Sequence, residues 1–194
     1  TDMCDYNNQT SLKKFLRDNL NELDDLLNLI SETGEVSNEK KSKVLTLGEI
    51  LSSNIIYEIL RQKGLDISHI DSRELIFTKD SNTNIQLDDE KTSDSIDKIV
   101  GSIKSKLIIS PGYICSNQEG KTSNLGRGGS DYSAAIYAKY LNAKVLEIWT
   151  DVSGVFSANP KIVKNASPIA YLSYKEAMEL LSLIHISEPT RPPE

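Results

Sequence analysis

Amphipathic helical repeats alternate along this chain with short aliphatic runs, and this alternation constrains the fold more than any other feature. One set of apolar residues recurs at intervals of three and four, which predicts a helix over residues 11–30 with one buried face: Leu12, Leu16, Leu20, Leu23, Leu27 and Ile30. After a polar loop over residues 31–42, a second set predicts another helix that ends at Gly64: Val44, Leu47, Leu51, Ile55 and Ile59.

Further helices are expected over residues 93–106 and 130–141, with strands at residues 75–78, 106–110 and 145–149 and a polar loop over residues 80–89. Strands that alternate with helices form a mostly parallel sheet with both faces covered. The sequence therefore predicts the α/β class. The 194 residues are enough for one main core.

Composition excludes several classes of function. The chain has 22 basic and 28 acidic residues, a net charge of -6, and no basic stripe interleaved with aromatic residues, so nucleic acid is not expected as a partner. It has neither an apolar run long enough to span a membrane nor a basic segment followed by an apolar one at the N-terminus, so no membrane partner is expected and a cytosolic setting fits best. Cys4 and Cys115 lack the spacing of metal ligands, and no metal site is predicted.

A glycine interrupts the second predicted helix. Gly48 lies beside the polar residues Glu49, Ser52 and Ser53, away from the apolar stripe. Glycine destabilises a helix interior by about 1 kcal/mol relative to alanine. We therefore expect a ligand or another part of the chain to come close to this small polar face.

The stretch NLGRGGSDYSAA, residues 124–135, sets three glycines around Arg127 just before a predicted helix. Glycine backbones allow close approach to a ligand, the N–H groups of a helix start favour an anion, and an arginine fork holds a carboxylate or phosphate. An anion site is one interpretation, and a tight turn with Ser130 as N-cap is the other. A dinucleotide fingerprint and a P-loop are excluded, because Asp131 and Cys115 occupy their required glycine positions.

A second cluster, EIWTDVSGVFSANPK, covers residues 147–161. Its predicted strand ends at Trp149 and is followed by Thr150 and Asp151, and ligands of parallel sheets bind beyond such strand ends. Lys161 supplies a cation for phosphate. The same residues also suit ordinary turns, in which Asp151 caps a turn.

Taken together and in order, these segments resemble aspartate kinases of the amino acid kinase superfamily over about residues 46–180: LGEILS, PGYI, EGKTSNLGRGGSDYSAA, EIWTDVSGVFSANPKIV and SYKEAMEL. The resemblance implies a three-layer α/β/α sandwich with a mainly parallel central sheet. It implies ATP-dependent phosphorylation of the β-carboxylate of L-aspartate, the first step toward lysine, threonine and methionine. The alternatives are another amino acid kinase, such as a glutamate 5-kinase, and a non-catalytic nucleotide-binding module.

The resemblance also implies roles on the substrate side. Arg127 would bind the α-carboxylate of aspartate and Glu49 its α-amino group. Ser130 and Asp131 would contact the remaining polar edge near the reacting centre, with Asp131 as the candidate catalytic residue. Phosphoryl transfer depends on positioning and on cations, so no nucleophilic triad is required.

On the nucleotide side the resemblance implies ATP with Mg²⁺. Thr150 and Asp151 would contact the nucleotide, Phe156 the adenine or ribose, and Lys161 the phosphates. Relatives usually carry Asp-Pro-Arg where this chain has Asn-Pro-Lys at residues 159–161, and many carry tyrosine at the position of Phe156. A lysine in place of arginine replaces a forked donor by a point charge.

Several family segments are not found in the sequence. These are the Lys-Phe-Gly-Gly-Thr-Ser strand, the Phe-Gly-Ala-Lys segment and the regulatory ACT domains, through which the parent protein is expected to form homo-oligomers. We therefore expect residues 1–182 to be part of a kinase domain, from a monofunctional or bifunctional parent, with little activity on its own. Residues 183–194, with three prolines, are expected to be a non-native tail.

Overall fold

The computed structural model describes residues 6–79, 85–151 and 153–186. The chain divides into two compact units, Thr1–Leu146 and Glu147–Glu194. Helices and small sheets occur together, so the mixed α/β character is confirmed, but the mostly parallel sheet is not seen among the described residues, where one of three two-stranded sheets is parallel. None of the described helices is long and apolar enough to cross a membrane.

Four helices of the first unit are α1 (Tyr6–Thr33), α2 (Asn38–Gln62), α3 (Asp89–Ser102) and α4 (Gly129–Tyr140). The predicted helices are all present, but α1 begins five residues earlier than expected, and α2 and α3 begin earlier because side chains cap them. The Ser37 hydroxyl accepts from the Lys40 N–H at 3.2 Å, so α2 begins inside the predicted loop 31–42. The Asp88 carboxylate accepts from the Lys91 N–H at 3.3 Å and starts α3 four residues early.

The strands are short: β1 (Ile67–His69), β2 (Thr78–Lys79), β3 (Gln86–Leu87), β4 (Leu107–Ile109), β5 (Ile114–Ser116) and β6 (Thr122–Asn124). They form three two-stranded sheets, of which β1–β4 is parallel and β2–β3 and β5–β6 are antiparallel. The strand predicted at 106–110 is confirmed as β4. The run predicted as a strand at 75–78 instead follows a 3-10 helix, Ser72–Glu74, and pairs only at its end.

Two other predictions about strands are wrong. The expected polar loop 80–89 contains β3, although residues 80–84 lie outside the described part. Residues 145–149 do not form a strand. A strand requires hydrogen bonds to a neighbouring strand, and these residues have no such partner among those described; Val145 is 70% exposed and Trp149 90% exposed.

The core of the first unit lies directly under the glycine loop. Its buried members are Ile70, Leu75, Ile76, Ile96, Cys115, Leu125 and Ile136. Leu125 immediately precedes the loop and Ile136 lies on α4, so the segments on both sides of residues 126–129 are held by buried side chains. Burial raises the pKa of Cys115 to about 11, so this thiol remains protonated at neutral pH.

The second unit contains α5 (Tyr174–Ile186) and a bridge between Phe156 and Pro168. The start of α5 is capped reciprocally, since Glu176 accepts from the Ser173 N–H at 2.8 Å and the Ser173 hydroxyl accepts from the Glu176 N–H at 3.3 Å. The helix extends four residues past the predicted domain end at residue 182. Residues 187–194 of the predicted tail lie outside the described residues.

His69, on β1, makes the stability of the fold sensitive to pH. Its Nε2 lies 3.1 Å from the Ser53 hydroxyl on α2, and burial lowers its pKa against the opposing effect of Asp71. The unfolded chain therefore takes up a proton first as the pH falls below 6.5, and the free energy of unfolding decreases until His69 in the folded chain is protonated. Urea denaturation between about pH 7 and about pH 5 measures this loss. In the His69→Gln variant the free energy of unfolding should change less with pH. Equal slopes of unfolding free energy against pH for the two proteins would contradict the prediction.

Candidate active site

Glu49 is held half-buried on α2, beside Gly48. The hydroxyl of Ser52 bonds to the Glu49 carbonyl at 3.2 Å, and Ser53 reaches the Ile50 carbonyl at 3.1 Å. A Cβ placed on Gly48 would meet no atom within 4 Å. No described residue therefore approaches Gly48 itself, whereas the predicted close approach is made at Ser53, whose hydroxyl lies 3.1 Å from the Nε2 of His69 on β1.

The glycine loop has the special backbone that its sequence predicts. Gly126 and Gly128 have φ angles of +74° and +71°, which L side chains rarely adopt. Gly128 is the N-cap of α4, and it has no side-chain cap hydrogen bond. The tight turn of the alternative interpretation is present, since the Gly129 N–H donates to the Gly126 carbonyl at 3.0 Å, but Ser130 is not the N-cap: Ser130 and Asp131 lie in the first turn. The N–H groups of this uncapped turn suit an anionic ligand.

Residues 111–113 pack closely on the start of α4. A Cβ on Gly112 would lie 3.1 Å from the Cα of Ser130, and a Cβ on Gly129 would lie 2.7 Å from a ring carbon of Tyr113. Tyr113 itself has a φ of +69°, a strained conformation for a residue with a side chain. Its N–H donates to the Ser133 hydroxyl at 2.9 Å, and that hydroxyl donates to the Gly129 carbonyl at 2.9 Å.

Tyr113 was not predicted as a site residue, because its Pro-Gly-Tyr context indicates only the end of a strand. Its positive φ is visible only in the structure. Burial raises the pKa of the phenol, and the nearby Cys115 and Glu49 raise it further. Tyr113 thus stays neutral at physiological pH beside the glycine loop.

Asn124 joins the glycine loop to α2. Its side-chain oxygen accepts from the Gly126 N–H at 3.0 Å, while its side-chain nitrogen donates to the Ser42 hydroxyl at 3.0 Å. Ser42 is buried on α2, less than two turns before Glu49. The helix that carries Glu49 and the loop that carries Arg127 are therefore connected by a single amide.

Two cavities meet at this loop. The smaller, of about 320 Å³, is lined by Leu45, Glu49, Tyr113, Gly126, Gly128, Gly129, Ser130 and Asp131. The larger, of about 550 Å³, contains Arg127, and it shares Leu45, Tyr113 and Gly126 with the smaller. The structure thus brings Glu49, Ser130 and Asp131 into one cavity. Arg127 lines the adjoining one, so that two carboxylates and a guanidinium line neighbouring cavities with a common wall.

The four residues predicted to bind nucleotide belong to the second unit. The Thr150 hydroxyl donates to Asp151 at 3.2 Å, and both residues are exposed. Phe156 is half-buried at its bridge with Pro168, and Lys161 is exposed, with its N–H bonded to the Asn159 side chain at 3.0 Å. Their contact with a nucleotide stays a prediction. In the described part of the chain, no group of three or more His, Cys, Asp or Glu residues is arranged to hold a metal ion.

Residues 10–188 match the profile of the family described as amino acid kinases. The chain belongs to the amino acid kinase family. Within it, the chain is similar to aspartokinases. It is 34% identical over 170 residues to the bifunctional aspartokinase/homoserine dehydrogenase of Buchnera aphidicola, and 32% identical over 165 residues to lysine-sensitive aspartokinase 3 of Escherichia coli.

Solved amino acid kinase structures agree with this relationship. E. coli aspartokinase III in complex with aspartate and ADP has a TM-score of 0.78 at 27% identity, and 88% of this chain is covered. The aspartate kinase of Clostridium acetobutylicum has a TM-score of 0.61 at 32% identity, over 79% of this chain. The alignments cover 38% and 32% of those two proteins. The sequence alignment with the Buchnera relative covers 87% of this chain and 21% of that protein, and the alignment with E. coli aspartokinase 3 covers 82% of this chain and 37% of that protein. The chain therefore spans less than two fifths of the length of these relatives.

Proposed function

We propose that this chain supplies the aspartate-binding part of an aspartate kinase, which transfers the γ-phosphoryl group of ATP to the β-carboxylate of L-aspartate. The observation that carries the proposal is the arrangement of charge at the glycine loop. Glu49 and Asp131 line one cavity and Arg127 lines the next, with a common wall between them. A free amino acid has an ammonium and a carboxylate on one carbon, and these groups suit such a pair of charges.

In this proposal Glu49 binds the α-ammonium group of aspartate and Arg127 its α-carboxylate. Ser130 and Asp131 contact the remaining polar edge, where the N–H groups of the first turn of α4 favour negative charge. An oxygen of the β-carboxylate attacks the γ-phosphorus, and the bond from that phosphorus to the β,γ-bridging oxygen of ATP breaks, releasing ADP and 4-phospho-L-aspartate. The attacking oxygen is already anionic, so catalysis consists of positioning and charge stabilisation.

The second unit carries donors that suit a nucleotide. We assign Thr150 and Asp151 to contacts with the nucleotide, Phe156 to the adenine or ribose, and Lys161, which has no ion pair with a described residue, to phosphate. Mg²⁺ bound with ATP supplies charge neutralisation at the phosphates. The crystallised E. coli relative holds aspartate and ADP, which supports this choice of ligands. Its TM-score of 0.78 supports a three-layer α/β/α sandwich for the complete domain.

The test is an ADP-release assay on the full-length protein that contains this sequence. The candidate acceptors are L-aspartate, L-glutamate, N-acetylglutamate and UMP, each at saturating ATP and Mg²⁺. We expect a clear preference for L-aspartate. Preference for L-glutamate would assign a glutamate kinase, and ATP binding without turnover of any acceptor would assign a nucleotide-binding module; either result contradicts the proposal.

A further inference from the structure

The larger cavity contains two lysines to which the proposed reaction gives no role, beside the arginine that it does use. Lys41 on α2, Lys79 on β2 and Arg127 in the glycine loop all line it. One carboxylate, Glu39, also lines it, but Glu39 lies 3.4 Å from the ammonium of Lys121 and 4.0 Å from that of Lys43, both of which lie outside the lining. The cavity is therefore positively charged in a chain whose net charge is -6.

None of the three cations belongs to an ion pair of the described residues, although Asp89 interacts with Lys79 at longer range. Across residues 6–79, 85–151 and 153–186, no carboxylate lies within 4.0 Å of the charged nitrogens of Lys41, Lys79 or Arg127. Other cations of the same unit are paired, as Lys139 is with Asp89 at 2.6 Å. Like charges that share a cavity repel one another, and a bound anion relieves that repulsion.

The neutral side chains of the wall add hydrogen-bond donors. The Asn117 side-chain oxygen accepts from the Lys121 N–H at 2.8 Å. The NH₂ group of Asn117 donates no hydrogen bond to a described residue, so it can donate to a ligand in the cavity. The Ser42 hydroxyl accepts from Asn124 at 3.0 Å, so its own hydrogen remains to be donated. Donors from α2, β2, the loop after β5 and the glycine loop thus line one space.

We propose that this cavity is a second ligand site, for a small oxyanion with two or more carboxylate or phosphate groups. Lys41, Lys79 and Arg127 would contact its charges. A volume of about 550 Å³ is much larger than one α-carboxylate requires, and it lies within the range of roughly 300–1,000 Å³ found for small-molecule sites. This part of the inference rests on the proposed function, in which Arg127 also binds the α-carboxylate of the substrate. The oxyanion should therefore compete with aspartate.

Binding is tested on the 194-residue chain by calorimetric titration with two probes, pyrophosphate and succinate. We expect saturable binding of at least one probe at one equivalent, weakened by added salt. Lys41→Gln and Lys79→Gln should each weaken binding by about two- to fivefold, the range for exposed ion pairs. Lys98→Gln, which replaces a lysine of α3 outside the cavity, should leave the dissociation constant unchanged.

The two probes distinguish the chemical sources. Binding of pyrophosphate alone assigns a phosphorylated ligand, and binding of succinate alone assigns a dicarboxylate. No saturable binding of either probe, or equal weakening by Lys98→Gln, would overturn the site.

A kinetic measurement separates this inference from the proposed function. In the full-length enzyme the bound probe should raise KM for aspartate without changing kcat, and Lys79→Gln should reduce that inhibition. Binding without competition would retain the oxyanion site but contradict the assignment of Arg127 to the substrate carboxylate.

Discussion

Replacing Arg127 with alanine in the full-length enzyme is expected to lower kcat/KM for aspartate by at least about tenfold, which corresponds to about 1.4 kcal/mol of transition-state stabilisation. Arg127 is exposed at the edge of its cavity, and no other arginine lines either cavity at the glycine loop. The substitution removes a fork that can hold a carboxylate by two hydrogen bonds. KM for ATP should change by less than about twofold, because the proposed nucleotide contacts lie on other residues. Steady-state kinetics with each substrate varied in turn measures both effects.

Two further variants separate charge from geometry. Arg127→Lys keeps the positive charge but loses the planar fork, so its loss of activity should be intermediate. Lys98→Ala removes a cation of α3 that lines neither cavity at the loop, so its kinetics should match those of the unchanged enzyme. Aspartate kinetics that are unaltered in Arg127→Ala would reject the assignment of this residue.

Replacing Gly129 with alanine is expected to destabilise the first unit by about 1–3 kcal/mol, the usual cost of overpacking. The added methyl group would lie 2.7 Å from a ring carbon of Tyr113 and 3.1 Å from the Cβ of Leu125. Leu125 is in the core and Tyr113 is held through the backbone and the Ser133 hydroxyl, so neither has an easy way to move aside. The thermal midpoint should fall by roughly 2–10 °C.

Gly101→Ala is the matched control, with the same added methyl group. Gly101 lies near the end of α3, and its new Cβ would meet no atom within 4 Å. Alanine in that position should raise stability by about 0.5–1 kcal/mol, because glycine is the more flexible residue in the unfolded chain. Equal melting temperatures for the two variants would show that the packing of Tyr113 on Gly129 is not tight.

Local patterns predicted the helices of this chain well, and the strands less well. The repeat from Leu12 to Ile30 depends only on nearby residues, and α1 covers it, although Leu20 and Leu27 of the predicted buried face are 48% and 45% exposed. The run at residues 145–149 has strand-forming residues, but a strand also requires a partner, which no local pattern supplies. Capping changed helix ends by several residues, as Ser37 does for α2.

The candidate site shows the same division. The left-handed glycines and the helix start at residues 126–130 follow from residue type, and the structure places Glu49 in one cavity with Ser130 and Asp131. The positive φ of Tyr113 results from packing between distant segments, and neither Lys41 nor Lys79 lies in a motif. Such residues meet only when separate elements fold together, so sequence patterns do not reveal them.

The bridge through Asn124 limits how changes in chain length can alter the candidate site. Residues 42 and 124 lie 82 positions apart, yet two hydrogen bonds from one amide connect the helix of Glu49 to the loop of Arg127. The separation of these two charges is therefore set locally and not by the length of the chain between them. A change of length in a surface loop between residues 42 and 124 should therefore leave the spacing of Glu49 and Arg127 unaltered, as long as both hydrogen bonds of Asn124 form.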